Sequence, residues 1–109
     1  MSEQTQSVRD LTPQQVARGL EEDRIILVDV REPNETALER IPGSVLMPLS
    51  AFDPAAIPEP EGRDVVFSCR SGRRSVTASL AAQEQGFAYS SHLAGGILEW
   101  KAAGLPIET

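Results

Sequence analysis

Two apolar runs, Ile25-Ile26-Leu27-Val28-Asp29-Val30, broken only by Asp29, and Val65-Val66-Phe67, constrain the fold more than any other feature of this chain. Neither alternates apolar with polar residues, so neither has a face meant for water. Short β-branched runs of this kind read as strands of a parallel sheet buried on both sides. A parallel neighbour requires a crossover connection, normally helical. Helical signals do stand between the runs and after them.

Thr12-Pro13-Gln14-Gln15 reads as a helix start. Thr12 can cap, Pro13 suits the first helical position, and Gln15 completes a capping box. Val16 and Leu20 then share a face, and the helix is expected to end near 21–23. The first strand is expected over 25–30, broken by Pro33, with a short helix over 35–40. Ile41-Pro42-Gly43-Ser44 is a turn, and 45–47 a short strand closed by Pro48. Residues 50–62 contain Pro54, Pro58, Pro60 and Gly62, which predicts a helical turn followed by loop. The next strand, over 64–68, is followed by a polar loop and a helix over 76–85, stopped by Gly86. A weak strand over 89–93 and a last helix over 97–103, stopped by Gly104 and Pro106, complete the chain. Alternating strands and helices predict a three-layer α/β domain, with a mostly parallel central sheet and helices on both faces.

A chain of 109 residues holds one such domain. The expected division is a flexible N-terminal segment over 1–9 and the folded domain over 10–109. The net charge of −6 argues against nucleic acid or an anionic membrane as partner. No apolar run reaches the ~18 residues of a membrane span. The opening Met1–Thr5 lacks the regions of a signal peptide, so a cytoplasmic, reducing setting is expected. A single cysteine, Cys69, excludes an internal disulfide and a multi-cysteine metal site, and neither metal nor cofactor is expected. A monomer or a homodimer fits equally well.

The distribution of charge says more than its sum. Residues 1–64 hold 13 acids against 6 bases, whereas 65–109 hold 3 against 4. Three of those four bases, Arg70, Arg73 and Arg74, directly follow the cysteine. The heptapeptide Cys69-Arg70-Ser71-Gly72-Arg73-Arg74-Ser75 lies between a buried strand and a helix, at the carboxyl end of the strand, where open α/β sheets bind ligands. A short loop containing glycine can turn successive N–H groups inward as an anion nest, and the helix adds its positive end. A cysteine in that field is stabilised as thiolate. A cysteine that served only packing would need neither the arginines nor the glycine turn. The pattern points to a nucleophile acting on a small anion.

The stretch Val65–Ser75 closely resembles the active-site loop of the rhodanese-domain sulfurtransferases. Leu27-Val28-Asp29-Val30-Arg31-Glu32 and Ile41-Pro42-Gly43-Ser44 are similar to two further motifs of that family. Leu93-Ala94-Gly95-Gly96-Ile97-Leu98-Glu99-Trp100, followed by Gly104-Leu105-Pro106, is similar to its C-terminal motif. The likeness runs from about 11 to 107. One departure is Glu39-Arg40, where members usually carry Gly-His before the Ile-Pro-Gly turn.

The resemblance implies a rhodanese-like fold and a persulfide mechanism. Cys69 would take sulfane sulfur from a small anionic donor such as thiosulfate. It would then yield that sulfur to a thiophilic acceptor, either cyanide or a thiol, including a protein thiol. The N–H groups of Arg70, Ser71, Gly72, Arg73 and Arg74 would hold the persulfide. Arg70 and Arg73 would attract the donor, and Arg74 would orient the loop or bind the anion. Related phosphatases and arsenate reductases place five residues between cysteine and arginine, whereas four separate Cys69 from Arg74 here, which favours sulfur over phosphoryl chemistry. A sulfur-relay or protein-interaction module remains the alternative.

Asp29 and Arg31 stand at the end of the first strand, where an ion pair of Asp29 with an arginine would either brace the active-site loop or simply hold the fold. His92 is the sole histidine. A Cys69–His92 dyad would suggest a thiol hydrolase, but the loop arginines already account for a thiolate. Trp100 reads as a packing anchor for the last helix.

Overall fold

The two apolar runs lie side by side at the middle of the sheet. In the computed structural model, which describes residues 7–109, the strands are β1 (Arg9–Leu11), β2 (Ile25–Asp29), β3 (Val45–Leu46), β4 (Asp64–Ser68) and β5 (Ser91–Leu93). Their order is β1-β5-β4-β2-β3, and every pairing is parallel. β2 and β4 pair along their full length, from Ile25 with Asp64 to Asp29 with Ser68. Both are buried throughout except at Asp64.

The helices are α1 (Pro13–Glu21), α2 (Pro33–Thr36), α3 (Arg74–Glu84) and α4 (Gly96–Ala102). One core joins Val16 of α1 and Ile97 and Trp100 of α4 to Leu27 and Val66. The other joins Ala78 and Ala82 of α3 to Ile26, Val28, Val65 and Phe67. The alternation of side chains along β2 and β4 thus feeds two cores, one on each face of the sheet, as a three-layer fold requires. Among the described residues, no helix is long and apolar enough to cross a membrane.

Several boundaries differ from the sequence reading for definable reasons. The helix expected over 35–40 is a single turn at 33–36, because Pro33 takes the first position and the Glu35 carboxylate caps the Glu32 N–H at 3.0 Å. α3 begins at Arg74 instead of 76, so the last residues of the cationic loop are already helical. β2 stops at Asp29, β3 at Leu46, and β5 is shorter than expected. The proline-rich stretch forms two 3₁₀ turns, Leu49–Ala51 and Pro54–Ala56.

Strand β1 had no counterpart in the sequence reading. Of the segment expected to be flexible over 1–9, residues 1–6 lie outside the described residues, but Arg9 is in the sheet and pairs with Ser91. Its sequence, Arg9-Asp10-Leu11, carries no apolar run, and only Leu11 is buried. What holds it is the vacant edge of β5. By contrast, the capping box of α1 forms as read, with Gln15 N–H to Thr12 Oγ1 at 3.1 Å and Thr12 N–H to Gln15 Oε1 at 2.9 Å. Trp100 is buried and its indole N–H donates to the Pro106 carbonyl at 2.7 Å, so it anchors the final turn.

Phe67 is fully buried and meets Phe52 and Tyr89 edge-on, with centroids 5.6 and 6.4 Å away. Phe67→Ala is expected to cost about 3–5 kcal/mol of stability. Urea unfolding should show that loss as a lower midpoint with an unchanged slope.

Candidate active site

Strand β4 delivers Cys69 to the carboxyl edge of the sheet, directly below the start of α3. Residue 69 is 1% exposed, and its sulfur forms the floor of the 69–75 loop. Gly72 N–H donates to Cys69 Sγ at 3.1 Å and Ser75 N–H at 3.4 Å. The Ser75 hydroxyl lies 3.6 Å from the same sulfur. Gly72 adopts φ +102°, a conformation open to glycine, and this is what turns its N–H inward. Ser75 is the second residue of α3, so its N–H belongs to the positive end of that helix.

These donors act against burial. Desolvation under the loop pushes the Cys69 thiol pKa up; the Ser75 hydroxyl and the N–H groups of Ser75, Gly72 and Ser71 together outweigh it. The net position is below the ordinary thiol value. Hydrogen bonds to the anion, more than the side-chain charges of the arginines, carry that result.

The three arginines divide into two kinds. Arg74 is committed to Glu35 through a two-pronged ion pair, Nη1 to Oε1 at 2.7 Å and Nη2 to Oε2 at 2.9 Å. The pair ties α3 to α2 across the site. Arg70 and Arg73 are exposed and make no ion pair among the described residues. Beside the loop, an open depression of about 200 Å³ is lined by Arg31, Glu35, Leu38, Arg70, Leu98 and Lys101, among others. Among the described residues, no cluster of three or more histidine, cysteine or acidic side chains could hold a metal ion.

The loop is clamped from above by α4. Two N–H groups in the first turn of that helix, on Ile97 and Leu98, donate to the carbonyls of Cys69 and Arg70 at 2.9 and 3.2 Å. Gly96 sits so close that a Cβ there would run into both carbonyls, and its φ of +61° already favours glycine. Gly96 is therefore a requirement of close approach.

Asp29 and Arg31 form a buried pair, 2% and 4% exposed. Arg31 Nε and Nη2 reach the carboxylate at 3.1 and 2.8 Å, and Nη2 also donates to the Glu39 carbonyl at 2.9 Å. The carboxylate takes Arg31 and none of the loop arginines. Arg40 lies away from the loop, clasping the chain end through Glu108, with backbone bonds of 2.9 and 2.8 Å and an ion pair at 3.2 Å.

Sequence reasoning missed three partners. Glu35 is 39 positions from Arg74, and nothing local links them. His92 does not touch Cys69, but its Nδ1 lies 2.8 Å from the Ser75 hydroxyl and its Nε2 lies 2.7 Å from Asp10 Oδ1. Asp10 was hidden because β1 itself was unread. The only signal pointing to His92 was its being the sole histidine, on the strand adjacent to the cysteine's.

The family model of the rhodanese-like domain matches residues 12–103. A sulfurtransferase of Allochromatium vinosum is 40% identical over 83 residues, covering 76% of this chain and 78% of that protein. An uncharacterized protein of Synechocystis sp. is 39% identical over 106 residues, covering 97% of this chain; the chain spans only 59% of that relative's length. A solved structure from Rhodopseudomonas palustris, described as a protein of unknown function and possible tyrosine phosphatase, superposes with a TM-score of 0.78 at 30% identity. It covers 93% of this chain and 85% of its own.

Arg74 holds the Glu35 carboxyl well below the usual range, from 4.5 to about 2. Because the folded-state value lies below the unfolded one, the resulting stability is complete above pH 4.5 and fades as pH falls toward 2. Glu35→Gln should remove that part of the acid-side slope. Urea midpoints of the two proteins should differ most at neutral pH and converge toward pH 2.

Proposed function

Because the chain belongs to the rhodanese family, we propose that it is a sulfurtransferase carrying sulfane sulfur as a persulfide on Cys69. The donor is a small sulfur-bearing anion such as thiosulfate, and the acceptor is cyanide or a thiol, including a protein thiol. The observation that carries this reading is the convergence of the Gly72 and Ser75 N–H groups on Cys69 Sγ.

In the first half-reaction the Cys69 thiolate attacks the outer sulfur of thiosulfate. A new S–S bond forms, the S–S bond of the donor breaks, and sulfite leaves with its electron pair. The persulfide anion that remains keeps its charge within the nest of N–H groups. In the second, an acceptor anion attacks the outer sulfur and Cys69 departs as thiolate. This is covalent catalysis in two steps, and it gives ping-pong kinetics. With no second cysteine in the sequence, the persulfide is discharged by an external acceptor.

Arg70 and Arg73, exposed and without ion pairs among the described residues, steer the donor dianion despite the acidic body of the protein. Arg74 positions the loop through Glu35. The Asp29–Arg31 pair supports the facing wall, where Arg31 also holds the Glu39 carbonyl. The relatives named as sulfurtransferases support transfer of sulfur in general. The Rhodopseudomonas description raises phosphatase chemistry, but four residues between Cys69 and Arg74 leave a narrow cradle that suits a sulfur atom better than a phosphoryl group.

Incubation with thiosulfate should add one sulfur, about 32 Da, to the protein, and Cys69→Ser should abolish both the adduct and transfer to cyanide while leaving the fold intact. A thiol unmodified by thiosulfate but loaded by a protein or small-molecule persulfide would favour the sulfur-relay module. Hydrolysis of p-nitrophenyl phosphate without any sulfur adduct would overturn sulfur transfer. Arg70→Ala with Arg73→Ala should raise the KM for thiosulfate several-fold and flatten its salt dependence, as loss of electrostatic steering requires. Steady-state kinetics at two ionic strengths checks this.

A further inference from the structure

Cys69, Ser75, His92 and Asp10 lie in one hydrogen-bonded line. The separations are 3.6 Å from Cys69 Sγ to Ser75 Oγ, 2.8 Å from Ser75 Oγ to His92 Nδ1, and 2.7 Å from His92 Nε2 to Asp10 Oδ1. Ser75 is fully buried and His92 is 5% exposed, whereas the Asp10 side chain is 73% exposed. Asp10 and His92 are register partners on β1 and β5, which places both side chains on the α3 side of the sheet. The groups facing the ring are Asp10 from β1, Ser75 from α3 and Gly72 from the loop, whose Cβ position lies near the ring edge. From β4 the register partner is uncharged Phe67. Asp10 is thus the charge paired with the ring on one side, and Cys69, through Ser75, the ionisable group on the other.

A serine has one proton to give, and here two acceptors compete for it. If Ser75 donates to His92 Nδ1, the imidazole is neutral, its other proton lies on Nε2 toward the Asp10 carboxylate, and the Ser75 oxygen faces the sulfur with lone pairs. That arrangement suits the thiol, which donates to Ser75. If Ser75 donates to the sulfur, the arrangement suits the thiolate, and Nδ1 must then carry a proton to satisfy the Ser75 oxygen. Nε2 keeps its proton toward Asp10, so the ring is an imidazolium. A thiolate beside a ring neutral through Nε2 would set the Nδ1 lone pair against that of Ser75 in a buried site, which is costly. A ring neutral through Nδ1 would instead set bare Nε2 against the Asp10 carboxylate 2.7 Å away.

We propose that Ser75, His92 and Asp10 form a proton relay that takes the Cys69 thiol proton, with His92 and Asp10 as positioning residues for the thiolate. The step balances: the S–H bond breaks, Ser75 accepts that proton and passes its own to Nδ1, and thiol with imidazole becomes thiolate with imidazolium. The carboxylate of Asp10 fixes the tautomer that leaves Nδ1 free to accept, and then faces the charge that forms. The relay deepens the reading of Cys69 as a nucleophile and rests on it.

The test uses the resting protein with no sulfur donor, so it stands apart from whether a persulfide forms. Thiolate absorbance near 240 nm, followed against pH, gives the Cys69 midpoint. Removal of an imidazolium partner in His92→Gln should raise it by about 1 pH unit. Asp10→Asn should raise it by less, and Asp10→Glu, which keeps the carboxylate, should restore most of the shift. Ring ¹⁵N signals should show His92 carrying both protons where Cys69 is thiolate, and Cys69→Ser should displace that titration. If His92→Gln fails to fold, surface-exposed Asp10→Asn and the ¹⁵N comparison decide the matter. A midpoint unchanged or lowered in Asp10→Asn would overturn the relay, as would a His92 that titrates identically with and without the Cys69 thiol.

Discussion

Everything at the carboxyl edge of this sheet depends on how the peptide groups of one short loop are oriented. The carbonyls of Cys69 and Arg70 are claimed by the N–H groups of Ile97 and Leu98 in the first turn of α4. With those acceptors turned away, the groups presented to the sulfur are donors, the N–H of Gly72 and of Ser75. The orientation survives only because Gly96 has no side chain to separate the helix from the loop and because Gly72 tolerates a positive φ. Two helices therefore act on one sulfur in different ways. α3 points its positive end at it, and α4 removes the competing negative dipoles.

Electrostatics at this site is a matter of commitment more than of counting. Three arginines follow the cysteine, yet one is bound into an ion pair with Glu35 and serves to join α2 to α3. The other two keep their charge available to the solvent side. The anion-stabilising work nearest the sulfur is done by backbone donors and one hydroxyl, at distances where a desolvated dipole is strong. The acidic surplus of residues 1–64 is spread over the body of the protein, so the net charge of −6 describes its average surface and misdescribes the approach to Cys69.

Much of the architecture could be read from local pattern. The runs ending at Asp29 and Ser68 became the paired central strands because a continuous apolar segment has no alternative to burial on both faces. Thr12, Pro13 and Gln15 produced the cap of α1 because a capping box is complete within four residues. Cys69 and its loop were legible for the same reason: cysteine, glycine turn and helix start are contiguous. Features that failed to show were those whose cause lies elsewhere in the chain. β1 is a strand because β5 offers it an edge, and three residues of mixed polarity carry no mark of that. α2 shrank to one turn because Glu35 turned back to cap Glu32 and turned out to meet Arg74.

By itself, the sequence determined that this chain forms a parallel α/β domain and that its one thiol sits in a glycine-containing loop between a buried strand and a helix start. Both follow from neighbours in the chain, through hydrophobic continuity and backbone conformation. Tertiary structure alone decided which arginine is spent on Glu35, that Asp29 holds Arg31, and that Ser75 connects Cys69 to His92 and Asp10. Those contacts join residues up to 82 positions apart, brought within hydrogen-bond reach by strand register and helix packing. Hydrogen bonding acts over about 3 Å and leaves no trace in sequence spacing until the sheet order is known.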